Sequence, residues 1–286
     1  MRALVTGGVG FVGTNLIKRL LKDGHDVVSI DNYSSGNKEN HQDGCIYWDM
    51  DLLDGRNGVL DRDEYDVIFH MAALARIQPS IKNPHKTILN NFVSTLNVLE
   101  TTRKNNVRFV YAGSSSFHHG LYESPYAWSK HSGEQLCKLY SNIYDLSTVV
   151  CRFYNVYGSY QVEEGTWATV IGKFENQFRN NKPLTVVGDG EQRRDFTHID
   201  DIVDGLIKCS EQPFRGEIFE LGRGKNYSIN EIADMFGKDY PRINLPAQPG
   251  EYDRTLADYS LAQDVLGWKP TVDIKDYINE WLNESN

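Results

Sequence analysis

Five short apolar runs recur in the first half of the chain: RALVT at 2–6, DVVSI at 26–30, DVIFHMAA at 66–73, VRFVYA at 107–112 and STVVCRF at 147–153. Each has strand length, and helical patterns lie between them. NLIKRLLKDG (15–24) sets leucine and isoleucine on one face, basic residues on the other, and a glycine to stop it. LNNFVSTLNVLETTRKNN (89–106) does the same with a longer apolar stripe. Strands alternating with helices predict a parallel sheet covered on both faces. After about residue 157 the texture changes to the Gly/Pro-punctuated stretches NNKPLTVVGDGEQ and NLPAQPGEYD. The expectation is an α/β chain with a doubly wound domain over 1–157 and a smaller, mainly substrate-binding region over 158–286. Within the latter, 196–222 is expected to return and pack on the first domain.

Composition narrows the function more than the fold. With 286 residues, 40% hydrophobic and 12% aromatic, the chain has ample material for a core. A net charge of −9 argues against a nucleic-acid binder, though a few local cations and backbone N–H groups can still hold a nucleotide-sized anion. Cys45, Cys137, Cys151 and Cys209 form no CxxC pair, which predicts reduced thiols and neither a zinc site nor a disulfide framework. No apolar run reaches the ~18 residues of a membrane span. The first strand begins at residue 2, leaving no room for a signal peptide, so a cytoplasmic protein is expected.

TGGVGFVG (6–13) follows the first strand and opens the first helix, with Gly7, Gly10 and Gly13 in a GxxGxxG spacing. Such glycines permit the tight turn and let a pyrophosphate approach N–H groups at a helix N-terminus. Asp31 ends the second strand, where a carboxylate accepts hydrogen bonds from ribose hydroxyls and repels a 2′-phosphate. The pair predicts a Rossmann-type sheet that binds NAD rather than NADP.

A nicotinamide cofactor gives meaning to SPYAWSKHSGEQ (124–135), where Tyr126 and Lys130 stand one helical turn apart. A phenol that ionises near pH 7 instead of near 10 has its phenolate stabilised by about 4 kcal/mol. A lysine ammonium and a positive nicotinamide ring are the charges expected to supply most of that. The serine run in AGSSSF (112–117) offers a hydroxyl to tyrosine and substrate alike.

Together these residues resemble the extended short-chain dehydrogenase/reductases, and within them the nucleotide-sugar 4-epimerases of UDP-glucose and UDP-N-acetylglucosamine type. The resemblance covers nearly the whole chain. It includes DLLD (51–54), HMAA (70–73), SIKNP (80–84), NFVSTLNVLE (91–100), RFYNVYG (152–158), VVGDGEQRRDFTHIDDI (186–202) and LGWKP (266–270). It implies that Gly7, Gly10, Phe11, Val12 and Gly13 hold the NAD pyrophosphate and that Asp31 and Asn32 take the ribose side. Asp51 and Leu52 would flank the adenine, and Ala72, Ala73, Asn91 and Phe153 the path to the nicotinamide. Counted back from Gly120, the catalytic Ser/Thr is Ser115; Tyr126 is the base, and Lys130 its support and a ribose contact. Asn155, Val170, Val187, Arg194 and Arg254 would bind the substrate, a nucleotide-diphosphate sugar with UDP favoured, and no metal is implied. The helices at 86–104 and 126–142 would form a four-helix bundle in a homodimer, using Leu96, Leu99, Leu136 and Leu139.

The same positions bear on the reaction. Relatives that dehydrate the hexose carry an Asp-Glu pair after the catalytic Ser/Thr, the decarboxylases keep the Glu, and the GDP-fucose-forming reductase/epimerases place a Cys there. Here Ser116 and Phe117 follow Ser115, which favours a 4-epimerase over a dehydratase, decarboxylase or 4-ketoreductase. A non-catalytic NAD-binding regulator would have no need of the Ser115–Tyr126–Lys130 set. The chain also departs from the pattern. His118-His119 replace Val-Tyr, Gly113 interrupts the serine run, and Gln248 stands where relatives place an Arg, with Arg254 nearby. The six positions from Gly120 to Tyr126 are fewer than usual, which predicts an open site mouth.

Overall fold

In a computed structural model, residues 1–54, 64–250 and 252–285 are described. Strands β1 (Arg2–Thr6), β2 (Asp26–Asp31), β3 (Cys45–Asp49), β4 (Val67–His70), β5 (Arg108–Ser114) and β6 (Thr148–Phe153) join the later strand Arg215–Leu221 in one sheet. Its seven strands run in the order β3, β2, β1, β4, β5, β6, Arg215–Leu221, and all six pairings are parallel. This is the doubly wound order, in which the crevice at the C-terminal ends of β1 and β4 is the natural ligand site.

Both faces of the sheet are buried. One carries the helices Phe11–Lys22 and Ile199–Ser210, where Leu16, Ile17, Ile202 and Leu206 pack on Val5, Phe69 and Phe219. The other carries Ser94–Asn105 and Pro125–Tyr144, with Val98, Leu99 and Cys137 against Ile68, Phe109 and Tyr111. The helix Ile199–Ser210 and the strand Arg215–Leu221 therefore belong to the central sheet. A separate core of Phe174, Leu184, Phe196, Ile232 and Phe236 holds the region beyond it.

Several elements differ from the sequence expectation. The first helix starts at Phe11 rather than residue 15, because Gly10 caps it and the glycine turn runs straight into its first turn. The edge strand β3 (CIYWD) is a short apolar run absent from the five strands expected above, and Ile46 and Trp48 are exposed on it. Leu99 is fully buried under the sheet, so it is core rather than part of a subunit contact. A second segment lies beside the short 120–126 loop. Pro249 and Gly250 cross there, with Gln78 Nε2 donating to the Pro249 carbonyl at 2.7 Å. A Cβ at Gly250 would come within 3.0 Å of Ile77 and 3.4 Å of the Glu123 carbonyl.

Candidate active site

The glycine turn is built for a close approach. Gly7 has φ +71°, and a Cβ there would lie 2.7 Å from the Ala72 backbone. A Cβ at Gly13 would lie 2.2 Å from the Gly7 carbonyl. Neither position accepts a side chain, so the turn, the helix N-terminus and the 71–73 loop close on one another. The groove they form is lined by Gly7, Gly10, Asp31, Asn32, Asp51, Leu52, Ala72 and Ala73, eight residues expected at the cofactor. Asp31 is aimed by two amides, accepting from Val9 N at 3.1 Å and Tyr33 N at 2.9 Å. Burial nonetheless raises its pKa, an arrangement that welcomes hydroxyl donors from a ribose. Asn32 donates to Asp51 at 3.0 Å, bracing the far wall. The groove also takes in Ser34, Ser35 and Met50, which the sequence pattern did not mark.

The remaining expected cofactor residues lie around this groove. Phe11 and Val12 occupy the first helical turn, and Phe153 ends β6 in register with Ser114. Asn91 lies within a π-helical turn, Leu89–Val93, and is 1% exposed. Its amide is spent on protein: Oδ1 accepts from Leu74 N at 2.8 Å, while Nδ2 donates to the Leu74 carbonyl at 3.3 Å and to Ser129 Oγ at 3.0 Å. Asn91 thus fixes the 72–74 loop relative to the helix that carries Tyr126.

His70 does similar work at the end of β4. Thr95 donates its hydroxyl to the Asn91 carbonyl at 2.6 Å, so it accepts from His70 Nε2 at 2.9 Å. Nδ1 then accepts from Thr6 Oγ1 at 2.7 Å, and Thr6 accepts from Ala72 N at 3.3 Å. This directed chain needs a neutral imidazole. Burial, helped by the charge of Lys130, pushes the His70 pKa down to about 3 and keeps it neutral.

Tyr126 lies in the first turn of Pro125–Tyr144, capped by Ser124 through Ala127 N at 3.1 Å. Burial raises the phenol's pKa, while a hydrogen bond from Ser114 and the charge of Arg76 act in the opposite direction. Of the three serines, Ser114 is the one whose hydroxyl acts on the Tyr126 pKa. β5 ends at Ser114, and a 3-10 turn, Ser115–His119, carries the expected Ser115 and leads to Gly120. Lys130 is 4% exposed, with its ammonium 4.4 Å from the centre of the Tyr111 ring. Burial lowers its pKa to about 8 against the favourable charge of Glu134.

His118 turns away from the tyrosine to pair with Glu220, which also accepts from Tyr154 at 2.7 Å and Asp258 N at 2.9 Å. The His119 side chain lies outside the described ones. Phe117 stacks on the Arg152 guanidinium at 3.7 Å, and Arg152 is paired in turn with Glu134 at 2.7 Å. Among the described residues no cluster of metal-ligating side chains occurs, and no helix is long and apolar enough to cross a membrane.

On the substrate side, Asn155 donates to the Asp195 carbonyl at 3.1 Å and Arg194 donates to the Tyr252 carbonyl at 2.6 Å. Both therefore stand at Asp195, whose carboxylate ties Arg223 N, Gly224 N and Ala257 N. Val170 begins the helix Val170–Arg179, and Val187 ends the strand Leu184–Val187. Arg254 is exposed and pairs by backbone with Arg193.

The comparisons agree with this architecture. The family model described as "NAD dependent epimerase/dehydratase family" matches residues 3–222. A UDP-glucose 4-epimerase of Mycolicibacterium smegmatis is 33% identical, over 97% of this chain and 96% of its own. A UDP-glucuronic acid decarboxylase of Arabidopsis thaliana is 30% identical, over 96% of this chain and 66% of its own. The crystal structure of Thermotoga maritima UDP-glucose 4-epimerase with UDP-glucose superposes with a TM-score of 0.94 at 26% identity, covering 100% of this chain and 99% of that one. With its glycine turn, amide-anchored Asp31 and half-buried Tyr126, the chain belongs to the NAD-dependent epimerase/dehydratase family of extended short-chain dehydrogenase/reductases, enzymes that act on nucleotide sugars.

Proposed function

We propose that the chain is a nucleotide-sugar 4-epimerase, with UDP-sugars the favoured substrates. The observation that carries this reading is what surrounds the Ser114–Tyr126 pair. The next three residues are Ser115, Ser116 and Phe117, and the Phe117 ring is engaged with Arg152. No carboxylate or thiol follows the serine to drive elimination or a second proton transfer. What remains suffices for removing and returning hydrogen at one carbon.

Tyr126, as phenolate, takes the proton of the sugar 4-hydroxyl, and a donor from the serine turn steadies the phenolate. Held by Gly7, Gly10 and Asp31 in the groove, NAD would supply reversible redox chemistry at C4, leaving the oxidised sugar free to present its other face. Tyr126 then gives its proton back to the C4 oxygen, so the reaction is redox-neutral and conserves mass. Lys130 contributes positive charge near the nicotinamide ribose, and Arg194 and Asn155 contribute to holding the diphosphate. The chain acts as a homodimer through the helix Pro125–Tyr144, which leaves Leu139, Ile143 and Tyr144 49%, 65% and 50% exposed on its outer side.

The test incubates the enzyme with UDP-, GDP-, CDP- and dTDP-sugars and analyses product mass and stereochemistry. Inversion at C4 with unchanged mass supports the reading. Loss of water or carbon dioxide, or net consumption of NADH, overturns it.

A further inference from the structure

Each carbonyl of the glycine turn needs a donor. Gly7 finds one within the turn, accepting from Gly10 N at 3.2 Å. Gly8 accepts from the Thr14 hydroxyl at 3.3 Å, and Gly10 from that hydroxyl at 2.7 Å and from Thr14 N at 2.9 Å. The Val9 carbonyl is served from outside. It accepts from Asn40 Nδ2 at 2.9 Å, across 31 positions of sequence. Val9 also donates its N–H to Asp31 Oδ2 at 3.1 Å, so the stretch from Asp31 to Asn40 holds both of its backbone groups.

That stretch is shaped to bring Asn40 in. Asn37 caps a 3-10 turn, Lys38–Asn40, by accepting from Glu39 N at 3.2 Å. Gln42 donates its side-chain amide to the Asn40 carbonyl at 2.9 Å and its N–H to the Tyr47 hydroxyl at 3.0 Å. The His41 ring lies flat on that of Tyr47, a residue of β3, with 3.8 Å between centres. Midway, Gly36 packs so closely that a Cβ there would come within 2.6 Å of the Val9 carbonyl oxygen. Ser34 and Ser35 of the same stretch line the cofactor groove, and Asn40 reaches the glycine turn through Val9.

We propose that Asn40 is a positioning residue for the cofactor, acting through Val9: its amide fixes the Val9–Gly10 peptide and joins the stretch after β2 to the glycine turn, so that the turn is set before NAD binds. A turn that binds an anion works by presenting N–H groups, and a carbonyl free to rotate among them weakens it. A donor that pins this carbonyl removes the freedom in advance, and ordering completed before binding does not subtract from affinity. An amide suits the place, because a carboxylate of the same shape has no proton to donate.

The test is calorimetric titration of the nucleotide-free, full-length protein with NAD, alongside denaturant unfolding of the same samples. Asn40→Ala removes the amide, whereas Asn40→Asp keeps its shape and loses the donor. Asn40→Ala is expected to weaken NAD binding about two- to tenfold, the worth of one neutral hydrogen bond. Asn40→Asp should weaken it at least as much, since a carboxylate oxygen then faces the Val9 carbonyl. Turnover at limiting NAD should fall in step with affinity and recover as NAD is raised. Wild-type affinity in both variants, with only unfolding stability lowered, would mean that Asn40 merely braces a loop, and the proposal falls. A loss in Asn40→Ala with wild-type affinity in Asn40→Asp would assign the effect to packing instead of the donor and overturns it equally. If Asn40→Ala does not fold, the affinity of Asn40→Asp decides alone. The titration contains no sugar, so a product analysis that sinks the epimerase reading leaves this result separately readable.

Discussion

The Ser114 hydroxyl accepts from both Ser116 groups, its N–H at 3.2 Å and its hydroxyl at 2.9 Å. With its acceptor side so occupied, Ser114 is left with its own proton to donate, and its hydroxyl acts to lower the Tyr126 pKa. A donor aimed at a developing phenolate is worth about 1.5–3 kcal/mol. Ser114→Ala should therefore lower kcat by roughly 10–10² fold with NAD binding retained. Ser115→Ala should stay within a few fold of wild type. Steady-state kinetics on both variants decides between the two serines.

Tyr126→Phe removes one oxygen from a half-buried ring, so fold and NAD binding should survive. Turnover should drop by about 10²–10⁴, the usual worth of a positioned acid–base group. Near-normal turnover would move the base elsewhere. Because His118 is held by Glu220, the search would then have to leave the described histidines near the serine turn.

Lys130 should set an upper limit to the active pH range. Its buried ammonium has a pKa lowered to about 8, so it is charged below that pH and neutral above. If its charge assists the phenolate or holds the cofactor ribose, kcat/KM should fall as pH rises through about 8. Lys130→Arg keeps its charge and should flatten that limb, at some cost in cofactor fit. A pH–rate profile unchanged between the two proteins would remove Lys130 from the role.

How much of this could be read from the chain follows from how local each signal is. The strands β1, β2, β4, β5 and β6 were visible because parallel strands buried on both faces are continuous apolar runs. β3 is also a short apolar run, CIYW, but the GCIYWDMD stretch follows a polar, glycine-containing loop and has no helical pattern beside it to mark it as part of the alternation. The glycine turn and Asp31 were legible because backbone sterics and charge restrict those positions. Ser114 and Ser115 are not told apart by the run SSS alone, because only the pairing of β5 with β6, Ser114 opposite Phe153, fixes where the strand ends and the turn begins. The tie between Arg76 and the Trp167 carbonyl could not be read either, because its partners lie 91 residues apart and no local pattern announces the contact.

Asp31 leads to a prediction about the cofactor. Its carboxylate is fixed by Val9 N and Tyr33 N beside Asp49, so a 2′-phosphate would meet two negative groups. Calorimetry should show NAD bound in preference to NADP. Asp31→Ala should narrow the gap by weakening NAD and relieving the repulsion of NADP. Equal affinities in the wild type would count against the assignment.

The cluster behind the serine turn leads to a prediction about acid stability. Burial alone would raise the Glu220 pKa, but hydrogen bonds from His118, Tyr154 and Asp258 N bring it down to about 2. A carboxylate whose folded pKa lies below its unfolded value of about 4.3 stabilises the fold above that value. The contribution is lost as pH falls from there toward 2, where the folded-state carboxylate takes up its proton. Denaturant unfolding of the wild type should therefore show stability declining over that window. Glu220→Gln should be less stable at neutral pH, because Arg152, 3.7 Å away, and His118 lose an anionic partner. It should also lose stability less steeply with acid, since the titrating group is gone. Parallel acid limbs for the two proteins would show that the anchoring of the serine turn to Arg215–Leu221 does not depend on the Glu220 charge.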